Sequence, residues 1–302
     1  MMIELEKLST EENNPNSRDI ELQDSLEIVR RINEEDKKVA FCVEKELGSI
    51  SRLIDAILSR YEKETRIIYI GAGTSGRLGI LDASECPPTY GVSFEKVQGI
   101  IAGGNEAIFK AKENAEDNPE LGKQDLININ LTENDVAIGL AASGRTPYVL
   151  GAIEYANSIG AITGSITCSK SSDLSKVSQY PIEVPVGAEI ITGSTRMKAG
   201  TAQKMILNMI STTIMIKLGK VFSGYMVDVK TSNQKLIERA KRIIMKTANC
   251  DYEKASDALK KAGNDVKTAI VMILLDIDKN MAMEKLNQCD ENVAKIIHEN
   301  LK

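Results

Sequence analysis

Ile67-Ile68-Tyr69-Ile70-Gly71-Ala72-Gly73-Thr74-Ser75-Gly76-Arg77 is the stretch on which the fold turns. A buried apolar run of strand length enters a turn of small residues, and a helical pattern follows it. A strand feeding a helix through glycines opens a βαβ unit. The ending returns in Gly139-Leu140-Ala141-Ala142-Ser143-Gly144-Arg145-Thr146, so Ser-Gly-Arg stands twice where a strand meets a helix. Such joins gather free backbone N–H groups, small hydroxyls and the positive end of a helix dipole, which suits a phosphate.

Working outward, further apolar runs occur at Val97 to Ala102, Val136 to Leu140, Ala161 to Thr167 and Pro181 to Val184, with helical patterns between them. Buried strands alternating with helices predict an α/β fold, a doubly wound parallel sheet, whose ligands bind beyond the strand carboxyl ends. Residues 1 to 16 are polar and read as an extended arm, and the spacing from Ile20 predicts one or two long helices ending near Tyr61. Another long helix is expected after Thr195, and from Asn233 the pattern stays helical: Leu236 to Cys250, Tyr252 to Ala262, Val266 to Leu275 and Ala282 to Leu301. The expected organisation is an arm with helices over 1–56, a sheet domain over 57–232 and a helical domain over 233–302.

The formal net charge of -5 argues against a nucleic-acid or anionic-membrane partner, which needs an excess of Lys and Arg. The basic run Lys235, Arg239, Lys241, Arg242 and Lys246 therefore reads as a solvated helix face. The acidic N-terminus lacks the apolar run of a signal peptide and no stretch reaches membrane-spanning length, so a cytoplasmic protein is expected. Five widely spaced cysteines without a C-x-x-C pair suggest neither a disulfide framework nor a metal site. The single histidine, His298, lies near the end, so acid–base work falls to carboxylates or lysines.

Gly71-Ala72-Gly73-Thr74-Ser75-Gly76 matches the G-x-G-x-x-G dinucleotide pattern, but the second strand ends Ile100-Ile101-Ala102-Gly103-Gly104 without the acidic residue that would hold a ribose. Either Ser-Gly-Arg loop alone would serve as an ordinary helix cap. Together, Thr74 and Ser75 with Ser143, Gly144 and Thr146 suit a sugar phosphate, and no P-loop lysine accompanies them. A third anion-suited loop, Gly193-Ser194-Thr195-Arg196-Met197-Lys198, offers Ser194 and Arg196. The candidate acids are Glu85, read as closing the first helix before Pro87 and Pro88, and the pair Glu113 and Glu116, whose i, i+3 spacing puts both on one helix face.

These residues resemble a known family. Gly71 to Gly79, Asp82 to Thr89, Ala115 to Asn118, Ala141 to Val149 and Gly193 to Lys204, with Thr10 to Asn13 and Ile32 to Asp36, are similar to the N-acetylmuramic acid 6-phosphate etherases over nearly the whole chain. The resemblance implies a flavodoxin-like sugar isomerase (SIS) domain with a C-terminal helical domain similar to ubiquitin-associated folds. It departs from the wider superfamily at Ala141, where a serine is common, so a contact there would come from backbone. It also implies Glu85 as proton donor, Glu116 as second catalytic carboxylate and Glu113 as a substrate contact. The implied reaction is a carbon–oxygen lyase step on a phosphorylated amino sugar, without metal or other cofactor; one sheet's worth of strands between long apolar helices reads, by itself, as a homodimer. A non-catalytic phosphosugar sensor, like the related glucokinase regulatory protein, and an aldose–ketose isomerase are the rival readings.

Overall fold

All five apolar runs are strands: β1 (Ile67–Gly71), β2 (Val97–Ile101), β3 (Val136–Leu140), β4 (Ile162–Thr167) and β5 (Tyr180–Glu183). They pair in parallel in the order β2-β1-β3-β4-β5, the flavodoxin-like arrangement expected. The computed structural model describes residues 12–62, 64–110, 112, 114–229, 231 and 233–300. They fall into two compact units, one running to Glu85 and including Ser93–Ile210, the other made of Cys86–Val92 and the chain from Ser211 onward.

In the first unit, β1 and β3 are buried along their whole length, which is why they read as unbroken apolar runs rather than alternations. Helices α1 (Ser25–Glu44) and α2 (Leu47–Ser59) precede the sheet; α2 buries Ile50, Leu53, Ile54 and Ile57, a single stripe at helical spacing. Helix α3 (Gly73–Tyr90) follows β1, and α4 (Glu106–Phe109) and α5 (Pro119–Asn128) lie between β2 and β3. Helix α6 (Pro147–Ser158) follows β3, α7 (Asp173–Val177) follows β4, and α8 (Lys198–Lys217) follows β5. Leu126, Val149, Ala152, Ile153 and Leu174 pack with Ile68, Ile70 and Ala137 into one core against the sheet.

From β1 the chain crosses to β2 on one side, and from β3 it proceeds through β4 to β5 on the other. The order therefore reverses between β1 and β3, and Gly71 is in register with Leu140 there. Both Ser-Gly-Arg loops leave the sheet side by side at this switch point. Helix α3 lies close on the sheet because its contact residues are small. A Cβ on Gly76 would stand 2.7 Å from Ile101 Cγ1 and 2.8 Å from Gly71 O.

Two local readings need correction. Glu85 does not end α3, which continues through Pro87 and Pro88 to Tyr90, with Gly91 N bonded to Pro87 O at 3.0 Å. Proline φ is helix-compatible, and the cost falls on the carbonyls four residues back, Ala83 and Ser84. Glu116 is not helical either: it sits in a turn before α5, whose start is fixed by Pro119 and the Asn118 cap.

In the second unit, β6 (Val221–Phe222) and β7 (Tyr225–Met226) form a hairpin, and five helices follow: α9 (Gln234–Thr247), α10 (Tyr252–Lys261), α11 (Val266–Leu275), α12 (Lys279–Gln288) and α13 (Val293–Asn300). The stretch read as one helix from Ala282 is two. Asp290 and Glu291 both take positive φ, which a helix interior excludes, and Asn292 caps the new start through Lys295 N. Ala240, Ile244, Leu259, Val266, Ile270, Leu286 and Ile296 form the core of this unit.

Candidate active site at the strand carboxyl ends

The first loop is tied down more fully than its sequence suggests. Gly73, with φ of 53°, turns the chain from β1 into α3, and Thr74 is half-buried. Ser75 is buried and its hydroxyl donates to Gln203 Oε1 of α8 at 2.9 Å, so its proton is already committed. Arg77 donates from Nε to Ile108 O at 2.8 Å and from Nη2 to Ala107 O at 2.7 Å. It closes the end of α4 instead of facing outward.

The second loop opens onto a polar cleft of about 320 Å³, lined by Ser143, Arg145, Ser169, Lys170, Ser171 and Ser172 among others. Cys168 N donates to Ala142 O at 2.8 Å and Leu174 N to Gly144 O at 2.9 Å, so the loops after β3 and β4 are fastened together. Gly144 has φ of 67°, and a Cβ there would lie 2.3 Å from Ser172 Oγ. Only glycine satisfies both the backbone and the space. Thr146 is half-buried at the cap of α6 and makes no side-chain cap bond. The Ser169-Lys170-Ser171-Ser172 wall escaped the sequence reading, although a strand running into a serine-rich turn was its visible signal.

The third loop differs most from its reading. Ser194 is half-buried and Arg196 exposed, but the positive end of α8 is filled from within. Glu189 accepts from Lys198 N at 3.0 Å and from Ala199 N at 2.9 Å, capping the helix with a carboxylate. Lys198 is buried, and its Nζ lies 2.6 Å from Glu35 Oε2 of α1. Glu35 also accepts from Lys38 and from Asn16. Burial alone would raise the Glu35 pKa, but hydrogen bonds from Lys198, Lys38, Asn16 and Asn14 outweigh it and hold the carboxyl at about 2. Asn14 Nδ2 donates to Ala188 O at 2.8 Å, so the chain at Asn14 is strapped beside the same loop, while residues 1–11 of the expected arm lie outside the described residues. The sequence reading missed Glu35 and Glu189 as structural acids.

Glu85 is exposed on α3 in a cleft of about 340 Å³, lined by Leu78, Leu81, Asp82, Lys204, Leu207 and Asn208. Glu116 lines a different cleft, of about 300 Å³, with Ala72, Gly73, Arg77 and Lys112. Its backbone carbonyl accepts from Tyr148 N in the first turn of α6 at 3.0 Å. Glu116 thus shares a cleft with the first Ser-Gly-Arg loop, and its backbone is bonded to the helix that the second loop opens. Among the described residues the two acids line different clefts. Glu113 lies outside the described residues.

Two models of known families match the chain: the SIS domain over residues 114–213 and the glucokinase regulatory protein N-terminal SIS domain over residues 49–157. The chain is 56% identical over 98% of its length to a Clostridium beijerinckii protein, covering 98% of it, and 55% identical over 97% to a Clostridioides difficile protein, covering 96%. Both relatives are named N-acetylmuramic acid 6-phosphate etherase. Among solved structures, a phosphoheptose isomerase from Francisella tularensis is matched along its full length with a TM-score of 0.50, over 64% of this chain at 16% identity, which supports the shared fold.

Proposed function

The chain belongs to the N-acetylmuramic acid 6-phosphate etherase family, and we propose that it cleaves the D-lactyl ether of N-acetylmuramic acid 6-phosphate, giving N-acetylglucosamine 6-phosphate and D-lactate. The ether C–O bond is unactivated by itself. Ring opening frees an aldehyde at carbon 1, which acidifies the hydrogen on carbon 2. A carboxylate removes that proton, the C3–O bond breaks as the C2–C3 double bond forms, and a carboxylic acid protonates the departing lactate oxygen. Water then adds across the double bond.

Glu85 is the acid for lactate departure and Glu116 the base at carbon 2. Thr74, Ser75, Ser143, Gly144 and Thr146 hold the 6-phosphate, with Ser194, Arg196 and Glu113 contacting the substrate. For Ser75, whose proton goes to Gln203, the contact runs through its backbone N–H. The observation that carries the reading is the placement of Glu116, in one cleft with the first phosphate loop and bonded through its backbone to the helix that the second opens, which suits a base working at a fixed distance from the anchored phosphate. The separate clefts of Glu85 and Glu116 favour a homodimer in which the acid of one copy meets the base of its partner. The enzyme acts in the cytoplasm on a small phosphosugar, with no nucleic acid or membrane partner. Its functional parts are the arm and helices of 1–56, the sugar-phosphate domain of 57–232 and the helical domain of 233–302. Among the described residues no helix is long and apolar enough to cross a membrane.

The test is direct. Glu85→Gln abolishes lactate release while the circular dichroism spectrum stays native, and an undiminished rate sinks the assignment. Solvent hydrogen exchange at carbon 2 survives in Glu85→Gln and is lost in Glu116→Gln; the reverse pattern exchanges the roles. The match to the glucokinase regulatory protein domain keeps a sensor as second reading. Binding of the phosphosugar without any lactate release identifies that case.

A further inference from the structure

Glu85 shares its cleft with three leucines, an amide, a second carboxylate and one cation. The amide and the second carboxylate hold each other: Asn208 Nδ2 donates to Asp82 Oδ1 at 2.7 Å, and Tyr69 Oη donates to Asp82 Oδ2 at 3.1 Å. Lys204, on α8, is exposed and forms no ion pair with a described residue. Among the described residues no serine or threonine lines the cleft, and Leu78, Leu81 and Leu207 make three of its walls apolar. Such a lining is poor for a phosphate and suits a small group that carries both a methyl and one negative charge.

We infer that Lys204 binds the carboxylate of the substrate's lactyl group, with the leucines against its methyl, and so selects the acidic ether over neutral ones. The inference rests on Glu85 being the acid for lactate departure. An acid that protonates the ether oxygen must come within about 3 Å of it. The lactyl carboxylate is attached through a single carbon to that oxygen, so it enters the same cleft. Once Glu85 has given up its proton, its carboxylate and that of lactate are neighbours of like charge. The Lys204 ammonium is the cation in the cleft that pairs with the lactate carboxylate and so removes that repulsion. Because Lys204 is exposed, replacing it leaves the core intact.

The experiment compares kcat/KM for N-acetylmuramic acid 6-phosphate with that for 3-O-ethyl-N-acetylglucosamine 6-phosphate, which keeps the ether but lacks the carboxylate, in the wild-type chain and in Lys204→Met. The expected result is a loss on the order of 10- to 100-fold for the acid in the variant, with the ethyl ether unchanged within about twofold. Lys204→Arg regains part of the loss. Equal losses on both substrates, or none on either, overturn the inference. If wild type releases lactate, Glu85→Gln does not, and Lys204→Met keeps its preference for the acid, Lys204 alone is refuted and the reading of Glu85 stands. A wild-type chain without lactate release refutes the reading of Glu85 itself.

Discussion

Lys198 shows how far a side chain's role depends on its partners. In sequence it is one of two cations in a loop suited to anions, yet its ammonium is spent on Glu35, which lies 163 positions away. Removing one partner of a buried pair costs about 3–5 kcal/mol, so Lys198→Met should lower stability by that order in urea unfolding. A loss below about 1 kcal/mol would mean that Lys38 and Asn16 suffice for Glu35. The same site sets a pH dependence. The folded Glu35 carboxyl titrates at about 2 against an ordinary 4.5, so it stabilises the fold fully above 4.5 and loses that contribution as pH falls toward 2. Acid unfolding of Glu35→Gln should therefore depend less on pH across this interval than that of wild type. An unchanged slope would remove Glu35 from the explanation.

Among the elements, the strands were the most legible. Parallel strands buried on both faces require unbroken apolar runs, and Ile67 to Gly71 and Val136 to Leu140 fall within one residue of their expected bounds. The β6–β7 hairpin was not anticipated, although Ser223 and Gly224, both at positive φ, occupy its two-residue turn. Two residues per strand give too short an alternation to stand out. Helix α3 was legible in its start and not in its end, because its prolines are tolerated there. Its packing on the sheet rests on Gly76, where Gly76→Ala should shift α3 off β1 and cost on the order of 2 kcal/mol or more. Thermal unfolding measures this, and a native melting curve would mean that Ile101 yields without cost.

At the scale of the whole molecule, the proposed sharing of acids between copies predicts a specific complementation. Glu85→Gln and Glu116→Gln, each inactive alone, should regain about a quarter of wild-type activity after mixing and subunit exchange, since half the dimers carry one intact site in two. No recovery after verified exchange would put both acids to work within one chain. The sequence by itself determined the parallel sheet, the two Ser-Gly-Arg turns at its carboxyl ends and the family, because apolar period, turn chemistry and contiguous motifs are local properties of the chain. Only the tertiary structure decided that Ser75 gives its proton to Gln203 across 128 positions, that Glu189 fills the start of α8, and that Glu85 and Glu116 occupy separate clefts. Hydroxyls and charges are satisfied by whichever distant segment packs against them, and that choice is fixed by the packing of the whole fold rather than by neighbours in sequence.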